Sequence, residues 1–106
     1  KISNNKIPAE KLFENEYCFI IRDIKPQAPI HLLVISKQHI SELSEITADN
    51  VLILSQMTLE ANRAARTFNI TQNGYRLLIN NGKDAGMTIP HLHMHVLAGT
   101  KLGIGN

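Results

Sequence analysis

Residues 91–97 read His91-Leu92-His93-Met94-His95-Val96-Leu97, a strict alternation of imidazole and aliphatic side chains. A period of two belongs to a β-strand, because successive side chains point to opposite faces. All three histidines then stand on one face, and Leu92, Met94 and Val96 form a packed reverse side. The pattern therefore demands a sheet with an apolar layer behind it. Five histidines occur in the chain, and three are here. One histidine on a strand is ordinarily a satisfied, half-buried side chain, but three at this spacing call for a function. Two functions compete. Histidines at i and i+2 can share a zinc ion. However, a rise of ~3.3 Å per residue sets the outer Cα atoms of His91 and His95 ~13 Å apart. No nearby carboxylate or cysteine completes a metal site, so a catalytic imidazole cluster is the better reading.

Composition limits what surrounds that strand. A chain of 106 residues with 43% hydrophobic and 19% charged side chains is an ordinary globular domain, read as one unit over residues 1–106. Its net charge of +2 is too small to argue for a nucleic-acid or membrane partner. No apolar run approaches the ~18 residues of a membrane span. The single Cys18 cannot pair internally, which suits a reducing, cytoplasmic setting. No signal peptide is legible, and the start at Lys1 without a methionine reads as a trimmed chain.

Along the chain, Pro8 bars a regular helix near the start. Lys11–Glu14 and Tyr17–Arg22 read as a hairpin turning at Asn15-Glu16. Pro26-Gln27-Ala28-Pro29 is a stiff connection delivering His31 to a third strand, His31–Ser36. Thr47 is a candidate N-cap with Asp49 in the first turn. Leu54, Met57, Ala61, Ala64 and Phe68 follow at spacings of three and four, which predicts a long helix over Thr47–Phe68. Ile53 and Leu59 lie off that stripe, an apolar excess that points to a partner subunit. Asn69 suits the left-handed residue that ends the helix. Gly74–Asn80 reads as the fourth strand. A loop containing Gly82 and Gly86 then feeds the histidine strand. The expected architecture is α+β, a five-stranded antiparallel sheet with one long helix.

The His-φ-His-φ-His-φ-φ run (φ apolar) resembles the signature of the histidine triad (HIT) family of nucleotide hydrolases and transferases. Arg22-Asp23-Ile24-Lys25-Pro26-Gln27-Ala28-Pro29-Ile30-His31-Leu32-Leu33-Val34-Ile35 is similar to its HINT-type branch, the purine nucleoside phosphoramidases. The resemblance implies a homodimer formed through the long helix and the strand after it. It implies His93 as nucleophile, His95 as proton donor, and His31 and His91 as groups that orient the cluster. His39 matches a recurrent family pattern but reads as structural. Ile2, Ile21, Ile24 and Leu33 match positions that sandwich the base, although from the residues alone all four read as core. Asp23 matches the acid that holds the ribose hydroxyls, and Arg22 stands at a variable position near the pocket rim. Asn80, Gly86, Met87 and Thr88 match the phosphate-binding stretch, where Met87 replaces the usual glutamine. The implied reaction is hydrolysis of purine nucleoside 5′-phosphoramidates through a covalent nucleotidyl-histidine, with dinucleoside polyphosphate hydrolysis or nucleotidyl transfer by the same intermediate, or purine-nucleotide binding with little catalysis, as the alternatives. It calls for no metal or cofactor.

Overall fold

The computed structural model describes residues 10–103. Five strands form one antiparallel sheet: β1 (Phe13–Glu14), β2 (Cys18–Arg22), β3 (Ile30–Ser36), β4 (Tyr75–Leu78) and β5 (His93–Ala98). Their spatial order is β1-β2-β3-β5-β4, so β5 lies inside the sheet, between β3 and β4. A single α-helix, α1 (Val51–Thr67), connects β3 to β4.

Alternation sorts the side chains into two layers. Cys18, Ile20, Leu32, Val34, Met94 and Val96 lie on one face and bury against Ile53, Met57, Ala61, Ala64 and Ala65 of α1. The small alanines let the helix axis come close to the sheet, while Met57 fills the space between them. On the opposite face Phe19, Ile21 and Ile35 form a smaller cluster with Leu33. The histidines of β5 belong to this second face.

The hairpin turn is built by Asn15, whose side-chain oxygen accepts the backbone N–H groups of Tyr17 at 2.7 Å and Cys18 at 2.9 Å. Its amide donates to Glu60 of α1 at 2.9 Å, and Arg63 donates to the same carboxylate at 2.7 Å. Glu60 is buried but fully partnered, which is how a charged group survives on the inner face of a helix.

Several expected boundaries shift. The helix begins at Val51 rather than Thr47, because Thr47 turns its hydroxyl to Asp49 N–H (3.2 Å) and its own N–H to Asn50 Oδ1 (2.7 Å). Those local bonds compete with a helical start, and Asp49 precedes the helix instead of occupying its first turn. Ile53 sits on the core side, whereas Leu59 is 57% exposed. Asn69 takes the left-handed conformation with φ 58°. The fourth strand covers only Tyr75–Leu78, since its ladder with β5 ends where Leu78 faces His95.

The largest change concerns the histidine run itself. β5 starts at His93, not His91. Pro90 is the central residue of a tight turn in which His91 N–H donates to Ile89 O at 2.9 Å, and Leu92 N–H goes to Ile40 O at 2.7 Å. His91 is therefore held before the strand and escapes its alternation.

Candidate active site

Register places His93 opposite Ile35, His95 opposite Leu33 and His31 opposite Leu97 on the β3–β5 pair. His31 and His95 are thus diagonal neighbours, with ring centroids 5.1 Å apart and His31 Nε2 2.9 Å from His95 Nδ1. The His93 and His95 rings approach edge to face, 5.2 Å between centroids. Both rings open onto a cavity of about 590 Å³. Ile21, Arg22, Asp23, Ile24, Leu33, Asn80, Gly86, Met87 and Thr88 line the same cavity. His31 lines smaller neighbouring cavities instead. Ile2 lies outside the described residues.

The His91 ring does not join the cluster, which corrects the expectation that three imidazoles share a face and that His93 has one on either side. Its Nε2–H donates to Ser36 O at 2.7 Å, and its Nδ1 faces His39 Nδ1 at 3.2 Å. His91 touches the cluster through its main chain. Its carbonyl accepts a hydrogen bond from His93 Nδ1 at 2.7 Å. A carbonyl only accepts, so His93 carries a proton on Nδ1, and Nε2 is the nitrogen that holds the lone pair in the uncharged ring. Orientation by His91 is thus a backbone effect set by the turn after Pro90.

Asp23 sits at the end of β2. Its N–H donates to His31 O at 3.0 Å, its Oδ1 accepts Lys25 N–H at 2.8 Å, and its Oδ2 lies 3.3 Å from His31 Nε2. Burial drives His31 below the ordinary histidine range, with Asp23 opposing. At 3.3 Å the carboxylate favours the charged form of the ring, and burial outweighs it. His95 is pushed down to about 4, first by burial and then by the neighbouring His93 and His31, again against Asp23. Burial also lowers His91, opposed by its bond to the Ser36 carbonyl.

The glycine loop differs from expectation in one respect. Gly86 N–H is used by Lys83 O at 3.0 Å and Met87 N–H by Gly82 O at 3.1 Å, so the loop consumes both donors. Thr88 N–H has no partner among the described residues and, with the Thr88 hydroxyl, is what this stretch offers an anion. Gly86 itself adopts φ 91°, which favours glycine. Ile24, read from the residues alone as core, is 86% exposed and forms an apolar cavity wall. Lys25, Gln27 and Ile89 also line the cavity and were not among the expected site residues, although Lys25 and Gln27 lie inside the Arg22–Ile35 stretch. Their common feature is adjacency to a proline.

Asp23, His31 and His95 bring one ligand atom each within 4.8 Å of one another, spacing that could suit a metal ion. The donor chemistry opposes it. His31 Nδ1 accepts the Gln27 N–H at 3.0 Å, so the nitrogen aimed at the would-be ion already carries the ring proton. A metal-binding imidazole needs the reverse arrangement, with its distal N–H donating.

The chain thus joins a helix-backed antiparallel sheet to a histidine pair over an open cavity. The chain belongs to the HIT family: the HIT domain model matches residues 4–102. It is 42% identical over 103 residues to an uncharacterized HIT-like protein of Chlamydia trachomatis, covering 97% of this chain and 92% of that relative. Among solved structures, a HIT family hydrolase from Legionella pneumophila superposes with a TM-score of 0.93 at 35% identity, covering 98% of this chain and 93% of that one. A HIT family hydrolase from Clostridium thermocellum gives 0.88 at 41% identity, covering 92% and 84%.

Proposed function

We propose that the protein hydrolyses purine nucleoside 5′-phosphoramidates at the P–N bond. The observation that carries this reading is the state of His93. With its Nδ1–H held by the His91 carbonyl, the uncharged ring has its lone pair on Nε2, the nitrogen left for attack in a cavity that His93 lines. That atom attacks phosphorus, the P–N bond breaks, and the proton needed by the departing amine passes through His95. Water then opens the nucleotidyl-histidine, releasing a nucleoside 5′-monophosphate and returning a proton to the pair. The lowered basicity of His95 in the empty site rises when an anionic phosphate lies beside it, because opposite charge favours the protonated form. Ile21, Ile24 and Leu33 take the base, Asp23 the ribose, and Thr88 with Asn80 the phosphate oxygens. Arg22 and Met87 edge the pocket.

The protein acts as a homodimer in this reading. α1 exposes Val51, Leu52 and Leu59, and β4 is an edge strand whose four residues are only half-buried. An isologous pairing covers both features at once.

Incubation with an adenosine 5′-phosphoramidate, an alkaline quench and peptide mapping should find the nucleotide on His93. His93→Ala should lose turnover by roughly 10⁴-fold or more. Near-full turnover by that variant would reject the covalent route. Diadenosine polyphosphate as the clearly faster substrate, tested with chelator present, would reject the P–N preference while keeping the histidine.

A further inference from the structure

We propose that a second cavity, on the β4 side of His95, receives the amine that leaves phosphorus and selects short apolar amines bearing no further charge. This rests on the reading that His93 attacks the phosphorus of a nucleoside phosphoramidate.

The sheet register lays the site out as a grid. Side chains two residues apart share a face, so His93, His95 and Leu97 run in file along β5. His95 has Leu33 of β3 on one side and Leu78 of β4 on the other. Leu97 has His31 and Arg76 in the same two places. The apolar wall of the larger cavity, with Ile21 and Leu33, therefore lies over β2 and β3. A second cavity of about 270 Å³ lies past His95, against Leu78 and Leu97. Gln27, Asn80, Gly86 and His95 line both spaces, whereas His93 lines only the larger of the two. The cavities meet at His95.

The direction of departure follows from the chemistry. In-line displacement at phosphorus puts the departing group opposite the attacking atom. Attack comes from His93 at the start of β5, so departure points along the strand, past His95 toward Leu97. The second cavity begins there. As the His93 Nε2–P bond forms, the P–N bond breaks and its nitrogen keeps the electron pair. That nitrogen takes its proton by way of His95, which borders the space.

The lining decides what fits. Leu78, Ala85 and Leu97 supply apolar surface, and no Asp, Glu, Lys or Arg is among the described residues that line the cavity. Burial drives both bordering rings, His31 and His95, toward their uncharged forms. Arg76 pairs with Leu97 across the ladder but stays outside the lining. An ammonium or carboxylate carried on the departing amine would lose its water here without gaining a charged partner. An apolar chain gains instead. The space is smaller than the ~300–1,000 Å³ pockets that hold drug-sized ligands, so a few carbon atoms fill it. Its outer wall is pinned, with Ala85 N–H donating to Gly82 O at 3.2 Å and Gly86 N–H to Lys83 O at 3.0 Å.

The test compares adenosine 5′-phosphoramidates that release ammonia, n-butylamine, n-octylamine, or a butylamine ending in an ammonium or a carboxylate. Ratios of kcat/KM are compared between variants, which cancels the different basicities of the amines. Ala85→Leu narrows the cavity and should lower the butylamine-to-ammonia ratio about tenfold. Leu78→Ala deepens it and should raise the octylamine-to-butylamine ratio by a similar factor. A folding defect lowers every substrate together and moves neither ratio. Calorimetry with chain carrying His93→Ala gives a reading without P–N cleavage. There Ala85→Leu should weaken the butylamide about tenfold relative to the unsubstituted amide. A parent protein that cleaves no phosphoramidate, with this binding ratio shifted as stated, would reject the proposed function and keep the cavity assignment. Cleavage with both kinetic ratios unmoved, or a charged butylamine released faster than butylamine itself, would keep the function and overturn the assignment.

Discussion

Leu33 and His95 stand directly opposite each other on neighbouring strands, so one cross-strand pair joins an apolar wall of the cavity to one of its two histidines. Asp23 reaches the same cavity from the end of the next strand. Substitution Asp23→Asn keeps the size but removes a charge-assisted acceptor. Nucleotide affinity should fall by roughly 1–3 kcal/mol. Titration calorimetry with ribonucleotides and their 2′,3′-dideoxy counterparts checks it; equal affinity for the two would show that the carboxylate does not read the sugar.

Gly99 adopts φ +97° and lies under Pro29. Gly99→Ala meets two penalties, an unfavourable backbone region and a 2.8 Å approach to the proline Cβ. Stability should drop by about 1–3 kcal/mol, read from urea midpoints at unchanged slope. A midpoint within experimental error of the parent would mean that the loop yields freely.

Acid should destabilise the fold through its histidines. His31, His91 and His95 all bind protons less readily folded than unfolded, His95 falling from 6.5 to about 4. Between those two values the unfolded chain holds more protons, so stability rises with pH across that window and is lost as pH falls through it. The melting temperature should decline steadily from pH 6.5 to 4.5. His95→Gln should flatten part of that decline; a slope unaffected by this change would contradict the burial argument.

Leu59 lies 57% exposed on α1 and Leu52 52%. With the dimer formed as proposed, Leu59→Asp should shift light scattering from twice the chain mass toward the 11.8 kDa monomer. A parent protein that is monomeric at every concentration would reject the interface.

The strands were legible for two reasons: His93–Ala98 keeps its alternation under tertiary packing, and Cys18–Arg22 opens with an unbroken apolar run that is buried on both faces. The helix start was misplaced because Thr47 and Asn50 satisfy each other locally, a side-chain choice that a periodicity count does not see. His91 was misplaced for a related reason. Its alternation with Leu92 is unbroken in the sequence, yet the turn after Pro90 removes it from the strand. The dependence of His93 and His31 on main-chain partners was not legible at all. Backbone N–H and C=O groups are the same at every residue, and only the folded path shows which of them aim at a ring.

The two-residue period of β5 also governs how this chain can change length. Inserting or deleting one residue inside β5, between His93 and His95, would set the two imidazoles on opposite faces, one toward the cavity and one beneath the helix. A change of two residues restores the faces and only slides the ladder. Length variation there should therefore occur in even steps, whereas the Asn81–Ala85 segment, outside any strand, carries no such parity.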